Sequence, residues 1–331
     1  MIINEIKLVN FRNHETFHLQ CNPDTTMILG ENGFGKTSVL EAIYILTRGK
    51  SFRATDPDII KREMPFYRIE LKYDNGEKII ATYDNNKKTY IIANKKTARL
   101  PKKYKYPIIL FQPSDLNLIS GSPGRHREYF DRFFNQLSEA YSEAVSKYNK
   151  AIRQRNELLK KEFFSSSDLF SWNVLLAKYG SLISATRAKY TNVINTQIND
   201  IYYSIAENDD NIKITYGSEV IGCNESDYLS KLESNIEKDK ILGFTSFGIH
   251  RDDFGFIFNN KKADGSASRG ETRSIVLALK FTEANIIYDL LKKKPIVLLD
   301  DVFSELDESR RRCLVKNFKN HQVIITSVEQ V

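Results

Sequence analysis

Residues 30–37, Gly30-Glu31-Asn32-Gly33-Phe34-Gly35-Lys36-Thr37, constrain this chain more than any other stretch. The preceding run Thr25-Thr26-Met27-Ile28-Leu29 is β-branched and apolar and reads as a buried strand. After the loop, Val39, Leu40, Ile43 and Leu46 recur at helical spacing. Strand, glycine loop and helix in that order make a phosphate loop. The glycines let backbone N–H groups crowd around phosphate oxygens, and the new helix aims its positive end at them. Gly30 through Thr37, with Ser38, are therefore the expected nucleotide contacts. Lys36 is the point charge for the β- and γ-phosphates, and Thr37 offers a hydroxyl to Mg²⁺.

The partners of this loop lie almost at the other end of the chain. Pro295 opens the run Ile296-Val297-Leu298-Leu299, apolar throughout, as a strand buried on both faces should be. Asp300 at its carboxyl edge is expected to hold Mg²⁺ beside Thr37, and Asp301 to orient the attacking water. Ser268-Arg269-Gly270-Glu271 precedes an amphipathic helix carrying Ile275, Leu277, Leu279 and Phe281. Ser268 is a good helix N-cap in its own right. A second helix N-terminus suited to phosphate, on a chain with one phosphate loop, suggests two copies facing each other. Ser268, Gly270 and Glu271 of one copy would then complete the site built on the other's Lys36.

Further short segments share a family pattern. They are Leu8-Val9-Asn10-Phe11-Arg12-Asn13, Gly49-Lys50-Ser51-Phe52-Arg53, Pro113-Ser114-Asp115-Leu116, Gly121-Ser122-Pro123 with Arg125, Arg127 and Asp131, Gly248-Ile249-His250-Arg251-Asp252-Asp253, and Leu298 to Asp307. Taken jointly, and from end to end, they resemble the RecF family of bacterial DNA replication and repair ATPases, within the ABC/SMC-like group. The resemblance implies an α/β, ABC-type nucleotide-binding domain with an antiparallel β-subdomain and an inserted α-helical domain. Residues 1–112 and 243–331 would form the ATPase domain, and residues 113–242 the insert. It implies ATP and Mg²⁺ as cofactors, weak DNA-dependent hydrolysis, and an ATP-dependent homodimer. That dimer would clamp single-stranded or gapped duplex DNA without sequence specificity. The implied setting is recombinational repair, replication and the SOS response, with RecR and RecO as partners in loading a recombinase. Ser304-Glu305-Leu306-Asp307 matches the loop that crosses such dimers. A short SMC-like defence ATPase is the alternative, although no nuclease motif accompanies it.

The chain departs from the family pattern at several positions. Gly33-Phe34 stands where Ala-Gln is typical, and Glu271 where the family has glutamine. The final strand Val323-Ile324-Ile325 ends in Thr326-Ser327 rather than in a histidine. Relatives usually continue with a further helix and strand, whereas this sequence ends at Val331. Slow turnover, or an ATP-gated clamp with negligible hydrolysis, fits these changes.

The length of 331 residues accommodates one large or two ordinary domains. Three cysteines, Cys21, Cys223 and Cys313, are widely spaced, which argues for a reducing compartment and against structural zinc. No apolar stretch approaches the ~20 residues of a membrane span, and the N-terminus lacks signal-peptide features, so a cytoplasmic location without a membrane partner is expected. A net charge of +7 suits a polyanionic partner. Asp74-Asn75-Gly76 between Arg68–Tyr73 and Lys78–Tyr83 signals a hairpin, with Thr89–Ile92 continuing the meander. The spacing further predicts a helical hairpin over Glu139–Phe164 and Asp168–Asn208, a strand closing at Gly217, and a helix over Asp227–Lys240.

Other residues admit two readings. Gln112 lies where an ABC-type glutamine would touch Mg²⁺ or water, or is a plain loop residue. Arg12 and Arg53 follow the first strand and the first helix; the resemblance implies Arg12 near the nucleotide, and the other reading is a surface ion pair. His250 to Asp253 form a polar segment expected between two apolar strands, where they serve either function or structure. Lys147, Lys150, Arg153, Arg155, Lys160 and Lys161 on the hairpin, and Lys87, Lys88, Lys95, Lys96, Lys102, Lys103 and Lys105 on the meander, are solvated faces or contacts to DNA phosphates.

Overall fold

A computed structural model describes residues 1–161 and 165–328. The chain divides into two compact units, Met1–Leu116 with Ile287–Val331, and Asn117–Ile286.

The first unit contains two sheets with a helix between them. A four-stranded parallel sheet runs in the order Thr25–Leu29, Val323–Ser327, Ile296–Asp300, Ile108–Phe111. The two central strands are buried along their whole length, which accounts for the apolar runs Ile296–Leu299 and Val323–Ile325. A six-stranded antiparallel sheet is built from Ile3–Phe11, His14–Gln20, Phe66–Tyr73, Lys78–Asp84, Lys87–Ile92 and Lys95–Thr97. The Asp74-Asn75-Gly76 hairpin forms as its sequence predicts, with Lys72 opposite Lys78. The helix Lys36–Arg48 packs against both sheets and is buried along most of its length. Gln322 ties the sheets together: its side-chain amide donates to the Ile3 carbonyl at 2.7 Å, and its oxygen accepts from the Ile3 N–H at 2.7 Å.

The second unit is mainly helical. Its helices include Pro123–Leu137, Glu139–Leu159 and Ser166–Asn195. The expected end of the first hairpin helix at Phe164 lies outside the described residues. The second expected helix, Asp168–Asn208, is in fact two, because the chain turns at Thr196–Gln197 before Ile198–Ala206. At the break Asn195 and Asn199 accept hydrogen bonds through their side chains from the backbone of the Ile212–Gly217 strand, at 2.8 and 2.7 Å. Asn235 likewise splits the expected Asp227–Lys240 helix into Glu225–Ser234 and Ile236–Leu242. The unit runs past Gly243 because the Asp253–Phe258 strand pairs with Ile212–Gly217 along its full length. Among the described residues no strand lies between Gly217 and Asp253, and residues 245–252 form a compact turn instead.

Two lysine- and arginine-rich sets also differ from their simplest reading. Arg155 does not belong to the exposed hairpin face. It is fully buried and ion-paired to Asp239 at 2.7 Å. Lys88 of the meander pairs with Asp56 at 2.7 Å. Among the described residues, no helix is long and apolar enough to cross a membrane.

Candidate nucleotide site

In the parallel sheet of the first unit all four strands point the same way, so the loops beyond their carboxyl ends gather along one edge. The register places Leu29 opposite Ser327, Thr326 opposite Asp300, and Leu299 opposite Phe111. The loop 30–35 therefore leaves the sheet on the same edge as Asp300, Asp301 and Gln112. Four segments far apart in sequence meet there because of strand order alone.

Two glycines give the loop its shape. Gly33 and Gly35 have φ of 88° and 92°, in the left-handed region that a side chain disfavours. Gly35 caps the helix without any side-chain hydrogen bond, and the first turn holds no acid. The helix thus begins with backbone N–H groups lacking a capping side chain, beside a left-handed nest, which is a geometry suited to a phosphate anion. The hairpin of the antiparallel sheet braces this loop. Asn13 Nδ2 donates to the Gly33 carbonyl at 2.9 Å, and His14 Nε2 lies 3.1 Å from the Gly35 carbonyl. Lys36 Nζ folds back over the loop to the carbonyls of Gly30 at 2.5 Å and Glu31 at 3.1 Å. Phe34 projects outward, 55% exposed, its ring against Gly30.

At the foot of the loop Thr37 Oγ1 donates to Asp300 Oδ1 at 2.7 Å. The same carboxylate oxygen accepts from Thr326 Oγ1 at 3.0 Å. Asp301 has φ of 52°, and its N–H donates to both the carbonyl and the hydroxyl of Thr326, at 3.1 and 3.0 Å. Burial raises the Asp301 pKa above its ordinary value. Lys36 opposes the shift, while Asp300 and Glu305 reinforce it. Among the described residues, no three His, Cys, Asp or Glu side chains cluster as a metal site. Mg²⁺ does not need such a cluster, since it commonly takes one or two protein oxygens together with substrate phosphates. Thr37 and Asp300 fit that requirement.

Arg12, Glu31, Asn32, Gly33, Gly35, Lys36, Thr37, Ser38 and Asp301 line one cavity of about 520 Å³, together with Asn13 and Arg53. Gly30, Phe34, Asp300 and Gln112 are not among its walls. Gln112 instead closes a small turn, its N–H donating to Asp115 Oδ2 at 3.1 Å. Ser268, Gly270 and Glu271 belong to the second unit. There the Ser268 N–H donates to Glu271 Oε2 at 2.6 Å, and the Glu271 N–H donates to Ser268 Oγ at 3.2 Å. This reciprocal pair is a capping box at the start of Arg269–Leu291. His250 to Asp253 are engaged within their own unit. His250 contacts Tyr148 Oη and the Thr245 carbonyl, each at 2.9 Å, Asp252 pairs with Arg187 at 3.0 Å, and Asp253 pairs with His126 at 2.8 Å.

Residues 2–331 match the family described as the RecF/RecN/SMC N terminal domain. The chain is 34% identical over 334 residues to the DNA replication and repair protein RecF of Clostridium perfringens strain 13, covering 98% of this chain and 92% of that protein. The chain belongs to the RecF family. The RecF of Lachnoclostridium phytofermentans is 32% identical over 340 residues, with the same coverage. A solved structure of the recombination mediator protein RecF with ATP in the RecFOR pathway superposes with a TM-score of 0.88 at 26% identity, covering 99% of this chain and 92% of that one. An Smc head domain from Pyrococcus furiosus, at TM-score 0.52 and 16% identity, shares the fold. The first unit thus carries the ATP-binding, ABC/SMC-type P-loop fold of RecF proteins.

One residue of this RecF-type site escaped sequence reasoning. Glu41, on the helix after the loop, is wholly buried and accepts hydrogen bonds from Arg12, Arg53 and Ser51. Its signal was a single acid among the buried apolar positions Val39, Leu40, Ala42 and Ile43.

Proposed function

We propose that the chain is an ATP-dependent DNA-binding protein of replication and recombinational repair, cytoplasmic, with a weak DNA-dependent ATPase activity. Two copies close on single-stranded or gapped DNA when each holds ATP, and slow hydrolysis reopens them. The observation that carries this reading is the hydrogen bond between Thr37 and Asp300 at the foot of the glycine loop. It joins a phosphate-loop hydroxyl to the acid at the end of Ile296–Asp300, which lies one strand beyond the neighbour of Thr25–Leu29, the pairing that an Mg²⁺-nucleotide site requires.

The residues divide the work. Lys36 and the backbone of Gly30 to Ser38 hold the phosphates, with Arg12 beside them. Thr37 and Asp300 hold Mg²⁺, which when bound neutralises phosphate charge as a Lewis acid. Asp301 orients water, and Gln112, at the same sheet edge, would contact Mg²⁺ or water. Ser268, Gly270 and Glu271 complete the site of the opposite copy. The RecFOR pathway of the solved relative supports RecR and RecO as partners.

Sedimentation with ATP, ADP or no nucleotide, each with and without gapped DNA, tests the proposal. ATP should yield a dimer with tighter DNA binding; if it yields neither, the reading fails. A second reading, a clamp with negligible hydrolysis, is favoured by Thr326. Its hydroxyl is buried and already bonded to Asp300 and to the Asp301 N–H, so it is committed to the two acids rather than to water. Steady-state turnover with DNA separates the two.

A further inference from the structure

Glu41 lies on the helix that begins at Lys36, and its side chain is entirely removed from solvent. A carboxylate in that position is tolerated only when its oxygens are saturated by donors. Oε1 accepts from Arg12 Nη2 at 2.8 Å and Ser51 Oγ at 2.6 Å. Oε2 accepts from Arg12 Nε at 2.9 Å, Arg53 Nε at 3.0 Å and Arg53 Nη2 at 2.8 Å. A carboxylate offers about four lone-pair sites, so these five donors saturate it. Burial opposes ionisation here, yet the bonds from Arg12, Arg53 and Ser51 outweigh it and hold Glu41 below the ordinary carboxylate range.

One anion thus gathers two cations that would otherwise repel each other. Both guanidinium groups are held by their Nε edges, which fixes the planes of the forks. Arg12 is further fixed by Nη1 on the Asp58 carbonyl at 2.8 Å. Arg53 Nη1 has no hydrogen-bond partner among the described residues. Both arginines line the cavity that also holds Lys36 and Thr37. Guanidinium forks match phosphate oxygens in geometry and charge, and holding them in place beforehand removes much of the ordering cost of binding.

We propose that Glu41 is a positioning residue for the nucleotide: it presents Arg12 and Arg53 to the polyphosphate chain of a nucleoside triphosphate lying on the glycine loop. The proposal rests on the nucleotide-binding reading above. Glu41 touches no nucleotide itself and acts only through the two arginines.

The test is a cycle of full-length variants whose ATP affinity is measured by calorimetry in Mg²⁺, with thermal unfolding recorded alongside. Glu41→Gln keeps the shape but turns an amide N–H toward a guanidinium. It should weaken ATP binding about tenfold. Glu41→Asp, which retains the charge, should recover part of that loss. In an Arg12→Ala, Arg53→Ala background, Glu41→Gln should change affinity less than about twofold, because nothing remains to be positioned. Equal losses in both backgrounds, or no loss in the wild type, would overturn the proposal while leaving ATP binding intact. Failure of the wild type to bind ATP, or unchanged binding in Lys36→Ala, would remove the nucleotide reading and this inference together.

Discussion

Thr37 and Asp300, 263 positions apart, share a 2.7 Å hydrogen bond from hydroxyl to carboxylate. Two oxygens that an Mg²⁺ ion would use are thus already side by side, and each satisfies the other. Asp300→Asn keeps an oxygen but removes the charge that holds a hard cation. We expect this variant to lose at least tenfold in ATP affinity when Mg²⁺ is present and to change little in EDTA. Calorimetric titration in both buffers checks the difference. Equal losses in both would show that Asp300 acts on the fold rather than through the metal.

Gly35 sets the loop apart from an ordinary helix start. A Cβ built there would lie 2.5 Å from His14 Nε2, on a backbone with φ of 92°. Gly35→Ala therefore meets both a steric and a conformational penalty, about 1–3 kcal/mol for the backbone alone. Thermal unfolding should show the loss. His14→Ala in the same chain should recover only the steric part, since the φ strain remains.

Asp301 carries its own pH signature. Its folded pKa lies above the ordinary 3.8, chiefly through burial. For an acid raised in the folded state, the unfolded chain holds fewer protons through this window, so stability falls as pH rises through the folded value. Asp301→Asn should therefore be more heat-stable than the wild type at neutral pH, with the gap closing below about 3.8. Asparagine also tolerates the positive φ at this position. Turnover should fall at least a hundredfold in the same variant while ATP-dependent dimerisation persists. Sedimentation and a phosphate-release assay on one preparation test both halves.

How much of this was legible beforehand follows from how local each signal was. The strand before Gly30, the helix after Thr37 and the hairpin at Asp74-Asn75-Gly76 depend on nearby residues, and their sequence pattern was sufficient. The ABC/SMC-type fold was legible because several short motifs hold one order from Leu8 to Asp307. Glu41 was not, because its meaning arises only when Arg12 and Arg53 arrive from two separate segments. Arg155 read as part of a basic helix face, since helical spacing does not reveal that Asp239, Asn173 and Thr245 surround it. The breaks at Thr196–Gln197 and Asn235 were also hidden, because neither carries a proline or glycine. At the first, asparagine side chains bond to the backbone of a strand.

Arg155 offers a direct measure of such a buried pair. Its guanidinium donates to Asp239 and Thr245 at 2.7 Å and to Asn173 at 2.7 Å, all within the second unit. Arg155→Met leaves Asp239 buried without its counter-charge, and one-sided removal of this kind costs about 3–5 kcal/mol. Adding Asp239→Leu should restore a large part, because the orphaned carboxylate is then gone. Urea denaturation of the single and double variants tests the order. A double variant as unstable as the single one would mean that the hydrogen bonds to Asn173 and Thr245 dominate.

His250 should make the chain acid-sensitive in a window unlike that of its carboxylates. Burial lowers its pKa to about 4, helped by Arg251 and Arg127 and opposed by the Thr245 carbonyl and Asp239. Its neutral ring is needed as built: one nitrogen faces the Thr245 carbonyl, and the other faces the Tyr148 hydroxyl, which in turn meets Tyr228 at 3.1 Å. In the unfolded chain the ring titrates near its ordinary 6.5. As pH falls from 6.5 toward 4, the unfolded state gains a proton that the folded state refuses, so stability is lost across that interval and levels off below it. Each unit of pH in the window costs up to about 1.4 kcal/mol. His250→Gln removes the titrating group, so its unfolding free energy should lose this slope between pH 6.5 and 4 while remaining lower than the wild type at pH 7. Paired denaturation curves at half-unit intervals decide the matter. An unchanged slope in the variant would assign the acid sensitivity to another group.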